Sequence, residues 1–301
     1  MNLRLEQARA QTRRQFLKHT GIGAIAFSAM LQRDSLAASA DNPLTPRSPQ
    51  FPAKAKSIIY LHMSGAPPQH ELFDYKPKLV ELNMKPCPDD LLKNQRFAFI
   101  KGHPKLLGTP YKFARHGKSG AWVSELLPYF SKQVDEAAFI KSMWTDQFNH
   151  APAELFLYTG SPRNGGAAMG SWLLYGLGSE SQNLPGFVVL ISGGTDPTGG
   201  KALWSTGYLP SVYQGVQCRT RGEPILYVNN PKGMDRDTRR RSLDTLRKLN
   251  ESELKDFGDP ETITRINQYE LAFRMQMAVP EVMDIGREPK KMQELYGAQP
   301  G

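Results

Sequence analysis

Apolar positions fall into two rhythms along this chain. Residues 57–63, 138–143 and 187–191 are short, nearly unbroken apolar runs, with Ile58, Ile59, Tyr60 and Leu61 in the first and Val188, Val189, Leu190 and Ile191 in the third. The first run stops at Gly65. A strand wetted on one side alternates apolar with polar positions, so unbroken runs of this length predict strands buried on both faces. Residues 152–158 and 170–177 predict helices. Buried strands separated by helices predict a mainly parallel sheet covered on both sides, an α/β fold. No repeat of fixed period runs through the sequence.

The last third changes character. Residues 236–254 place Leu243, Leu246, Leu249 and Leu254 near one face of a helix, with Arg239, Arg240, Arg241, Arg247 and Lys248 largely on the others. Asp235, Asp237, Asp244 and Glu251 interleave with these cations. The mixture predicts a solvated helix face rather than a nucleic-acid surface. Residues 262–283 predict a second helix, bent or ended near Pro280, with Met275 and Met277 as core filler.

Composition narrows the class. The chain has 301 residues, 40% of them apolar, which is too many for a disordered chain, and its two cysteines are too few for a disulfide scaffold. The net charge of +9 suggests an acidic partner until it is divided along the sequence. Residues 1–40 carry Arg4, Arg9, Arg13, Arg14, Lys18 and Arg33 against Glu6 and Asp34, a net +4 of that total. The Arg13-Arg14 pair, an uncharged stretch over 20–31 and the small run Ala38-Ser39-Ala40 make a twin-arginine export signal, cut after Ala40. The uncharged stretch is shorter than the ~20 residues of a membrane span. The expected product is a mature chain without a transmembrane span, delivered by the twin-arginine machinery to the periplasm or beyond. Residues 41–54, with Pro43, Pro46, Pro49 and Pro52 at intervals of three, predict an extended linker to a domain over 55–301. In an oxidising compartment Cys87, set between Pro86 and Pro88, and Cys218 can pair or stay free, and spacing does not choose between these states.

Chemistry-bearing residues crowd the first half. After Ala40 the histidines are His62, His70, His103, His116 and His150, and no His-Glu-x-x-His or Cys-x-x-Cys spacing occurs. The glycine-rich tract 193–201 follows a predicted strand, as a phosphate loop does. Its register fails: Thr195 stands where the first glycine belongs and Ala202 where a magnesium-binding hydroxyl belongs. A surface loop is expected. The stretch Asn149-His150-Ala151-Pro152, ending in Thr159-Gly160, resembles the sulfatase signature, with His150 at the nucleophile position. A group there faces unpaired N–H donors and the positive end of a helix dipole, which suits an anionic ester. Glu154 replaces the arginine of that signature and position 150 holds no cysteine or serine, so formylglycine chemistry does not carry over.

A broader resemblance follows from Gly65-Ala66-Pro67-Pro68-Gln69, Leu72-Phe73-Asp74-Tyr75-Lys76-Pro77, Asn149-His150-Ala151-Pro152-Ala153, Met169-Gly170-Ser171-Trp172, Leu203-Trp204-Ser205 and Leu209-Pro210-Ser211-Val212-Tyr213-Gln214-Gly215. Together with the twin-arginine start, these resemble the exported bacterial family called domain of unknown function 1501. The resemblance implies the alkaline-phosphatase and sulfatase superfamily: a three-layer α/β/α sandwich with a mainly parallel sheet, and cleavage of phosphate or sulfate esters with divalent metals. It implies His150 as the catalytic residue and Asn149 as a substrate contact. Two departures accompany it. Ser64 stands where metal-binding relatives place an acidic ligand, and no Asp- and His-bearing segments follow to complete a metal site. The expectation is therefore the N-terminal part of a longer hydrolase, inactive alone, with a divalent metal in a full-length form. The alternatives are a non-catalytic exported protein that binds a sulfated or phosphorylated glycan or a partner, and a truncated gene product.

Overall fold

The computed structural model describes residues 42–93, 100–192, 196–219, 222–226, 228–257 and 259–298. The arginine pair and the cleavage site at Ala40 lie outside them. Seven helices occur among the described residues: α1 (Pro77–Glu81), α2 (Asp89–Leu92), α3 (His150–Thr159), α4 (Met169–Leu177), α5 (Arg236–Phe257), α6 (Pro260–Val282) and α7 (Lys290–Tyr296). The strands are β1 (Phe113–His116), β2 (Ala121–Ser124), β3 (Val188–Leu190) and β4 (Val216–Cys218). The class is mixed α/β. The described strands form one antiparallel pair, β1–β2, and one parallel pair, β3–β4.

Packing divides the chain into two compact units. The unit Ile59–Asp146 is built round the hairpin β1–β2, in register Phe113↔Ser124 to His116↔Ala121. Asp135 closes its turn by accepting hydrogen bonds from the N–H groups of Lys118 and Ser119, both 2.9 Å. These donors hold the Asp135 carboxyl below the usual carboxylate range. Gly117 sits at φ +66 against Asp135 and Val134, where a Cβ would collide with both side chains. Val123 and Val134 are buried, Tyr75 stacks on Phe113, and Phe73, Phe130 and Phe139 form an aromatic cluster.

The second unit takes in the described residues before Ile59 and those from Gln147 onward. Its helices begin and end where local chemistry dictates. Gly160, at φ 74, stops α3, and Gly178, at φ 73, stops α4. Asp259 caps α6 by accepting from the N–H of Glu261, with Pro260 at its first position. One core gathers Leu174, Tyr213, Leu271, Met275 and Val279, and it also takes in Leu44, so the proline-spaced segment starts docked. Ser179 N–H donates to the Leu44 carbonyl and Arg47 N–H to that of Leu177, both 2.8 Å. A smaller core joins Leu155 of α3 to Leu203 and Trp204. Phe187 packs against both cores, and the glycines facing it are required: a Cβ on Gly170 would lie 2.6 Å from its ring. α5 and α6 pack against each other, and Pro280 lies inside α6.

Several expectations meet a different outcome. Residues 187–191 supply β3, which pairs in parallel with β4, but Val188 is 47% and Leu190 64% exposed, so the strand is not buried on both faces. Residues 57–63 and 138–143 form no strand. Ile59 is 85% exposed, Leu61 86% and Ile140 71%. A strand sequence apolar on both faces needs neighbours at both edges and layers above and below, and none of these accompanies the two runs among the described residues. Phe139 instead finds an aromatic niche against Phe73 and Phe130. On α5 only Leu243 of the leucine stripe is buried, while Leu246 and Leu249 stay exposed. Met275 fills the core as expected; Met277 faces out. Among the described residues no helix is long and apolar enough to cross a membrane.

Candidate functional site

The elements that could meet a ligand sit at the two ends of a short path through the second unit. α3 opens at His150, preceded by Asn149 in an extended conformation (φ −87, ψ 143). Both residues are exposed. The Asn149 side chain makes no capping hydrogen bond, and its backbone carbonyl accepts from the N–H of Ala153 at 3.2 Å. Pro152 brings no N–H, so the open donors of the first turn come from its neighbours. The positive end of the helix dipole and an amide that makes no capping bond therefore share this terminus with the His150 imidazole.

One turn further along the same face lies Glu154, four residues from His150. Its carboxylate is 6% exposed and accepts from Thr198 Oγ1 at 2.9 Å and from the N–H of Gly199 at 2.7 Å. The glycine-rich tract leaving β3 is thus tied to α3 through a buried acid. The part of that tract at 193–195 lies outside the described residues. Glu154 is the residue that sequence reasoning passed over, noticed only for the arginine it replaces. Its signal was a lone acid among Ala153, Leu155 and Phe156 on a short apolar helix. A buried carboxylate in such a setting calls for donors from elsewhere in the chain.

Among the described residues no three His, Cys, Asp or Glu side chains gather closely enough to hold an ion. His103 has Asp89 3.8 Å from its Nδ1 and the Cys87 carbonyl 2.6 Å from its Nε2, a pair rather than a ligand set. Ser64, in the place expected for an acid, lies in an exposed turn with Gly65. The described residues therefore do not fit the divalent metal that the resemblance implies. Cys87 and Cys218 are both free thiols, and burial pushes the Cys218 thiol up.

A protein family described as "Protein of unknown function (DUF1501)" matches residues 55–301. No curated protein and no solved structure matches the chain.

Proposed function

The chain belongs to the DUF1501 family, and from that premise we propose that it is an exported protein of the sulfatase and phosphatase kind that receives an anionic ester at the start of α3. His150 and Asn149 face the ester oxygens there, and the chain alone does not hydrolyse it. The observation that carries this reading is the open terminus itself: an exposed helix start whose Asn149 amide is not spent on capping and whose first turn offers N–H donors. Ser64 in the acidic position, with no converging metal donors among the described residues, is why turnover is left out. The three-layer sandwich belongs to the same reading. Residues 57–63 would be a central strand of that sandwich.

The test is a metal-titrated assay with aryl phosphate and aryl sulfate, run beside equilibrium binding of the same esters. Binding that weakens in His150→Ala, with hydrolysis at background in every metal, is the expected result. Robust metal-dependent turnover by this chain would overturn the proposal, and binding indifferent to His150→Ala would remove α3 from it.

A further inference from the structure

A cavity of about 200 Å3 opens within the main core of the second unit. Gln268, Leu271 and Met275 line it from α6, where their spacing sets them on one face of the helix. Leu174 of α4 and Ser211 of the single 3-10 turn Ser211–Tyr213 supply further walls. Leu44 supplies another, carried on the segment that the backbone bonds to Ser179 and Leu177 hold in place. Leu44, Leu174, Leu271 and Met275 are all buried, so the apolar walls belong to the packed core. No residue that lines the cavity is ionisable.

The polar groups at its edge are unequally committed. Gln214 is spent at both ends: its Nε2 donates to the Trp204 carbonyl at 2.9 Å and its Oε1 accepts from the N–H of Thr206 at 3.3 Å. Ser211 donates its hydroxyl proton to Glu261 at 2.7 Å, which leaves its oxygen as an acceptor. The Gln268 carboxamide makes no hydrogen bond among the described residues, so it keeps both donors and acceptor to offer. An apolar cavity of ~150 Å3 is enough to admit benzene, and this one has room for a ring with a substituent. Met275 adds a sulfur that favours an aromatic neighbour. An anion is excluded, because it would lose its hydration with no countercharge in the lining.

We propose that this cavity binds a small neutral phenol, its ring among Leu174, Leu271 and Met275 and its hydroxyl paired with Gln268. The ligand is uncharged, unlike the ester assigned to the α3 terminus, and the site stands or falls without that assignment. Because Leu44 forms part of the wall, an occupied cavity also fastens residues 42–47 onto the unit.

The experiment is NMR titration of the full chain near neutral pH with p-cresol, with toluene as the same ring lacking the hydroxyl and 4-methylbenzoate as its anionic counterpart. Saturable one-to-one binding of p-cresol is expected, with toluene about tenfold weaker for want of one hydrogen bond and 4-methylbenzoate not saturating. Gln268→Leu should bring p-cresol down to the affinity of toluene and leave toluene unaffected; this variant breaks no hydrogen bond of the fold. Exchange of the Ser179 and Arg47 amides, which donate to Leu44 and Leu177, should slow about tenfold with p-cresol at ten times its Kd. His150→Ala should change none of these results. The proposal is overturned if neither p-cresol nor toluene saturates, if 4-methylbenzoate binds as well as p-cresol, or if Gln268→Leu keeps the preference for p-cresol. Amide exchange indifferent to bound p-cresol would equally overturn it, by placing the ligand away from Leu44.

Discussion

Replacing Glu154 by alanine removes the acceptor for two donors at once, Thr198 Oγ1 at 2.9 Å and the Gly199 N–H at 2.7 Å, from a position 6% exposed. Hydrogen bonds to a charged partner are worth about 1.5–3 kcal/mol each, and a buried N–H left without an acceptor adds its own desolvation cost. Water entering the vacated space recovers part of the sum, so the expected loss is about 3 kcal/mol. For a chain of 301 residues that lowers the melting temperature by about 5 °C. Glu154→Gln keeps one carbonyl oxygen for Gly199 but turns an NH2 toward the tract, and should cost about half as much. The assay is thermal and denaturant unfolding read through intrinsic fluorescence, to which Trp204, buried beside Leu155 and Leu203, contributes with Trp122, Trp144 and Trp172. Hydrogen exchange of residues 196–204 localises the effect. An alanine variant with an unchanged midpoint and unchanged exchange would refute the claim that this acid anchors the tract.

Gly170→Ala drives a methyl group to 2.6 Å from the Phe187 ring and should destabilise by about 1–3 kcal/mol, visible as a lower melting temperature; an unshifted melt would show that the ring yields freely. Asp135 has a folded-state pKa below that of an unfolded carboxylate, so its contribution is present above the unfolded pKa near ~3.9 and is lost as pH falls through the folded value. Exchange of the Lys118 and Ser119 amides should quicken over that acidic window and become independent of pH in Asp135→Asn, apart from the intrinsic rate; an unaltered profile in the variant would assign the protection elsewhere. Changing Arg13 and Arg14 together to lysine should leave uncut precursor in the cytoplasm, because the export receptor reads the guanidinium pair; unchanged secretion, measured by fractionation, would remove the export assignment.

The helices were legible because their causes are local. Residues 152–158 and 170–177 sit inside α3 and α4, whose ends are set by Gly160 and Gly178 within the same stretch of chain. Residues 236–254 and 262–283 were legible in the same way, since residue spacing alone defines a helix face. Strands answer to distant partners. Residues 187–191 and 57–63 read alike as sequences, yet only the first meets a neighbour, Val216–Cys218, to complete a ladder. At the candidate site, His150 and Asn149 fall at the helix start because Pro152 and Gly160 bracket α3. The Glu154 tie was not legible, because its donors lie 44 and 45 residues away and nothing near position 154 announces them.

The exposure of residues 57–63 has a colloidal consequence. The seven residues 57–63 include the β-preferring Ile58, Ile59 and Tyr60, no proline and no formal charge outside His62, and offer a template on which identical chains can stack as intermolecular ladders. The sequence places Lys54 and Lys56 directly ahead of this stretch, so two copies approaching in register bring like charges together. That repulsion reaches ~10 Å at 0.1 M salt and only ~3 Å at 1 M. The lysine barrier to such pairing therefore weakens as ionic strength rises.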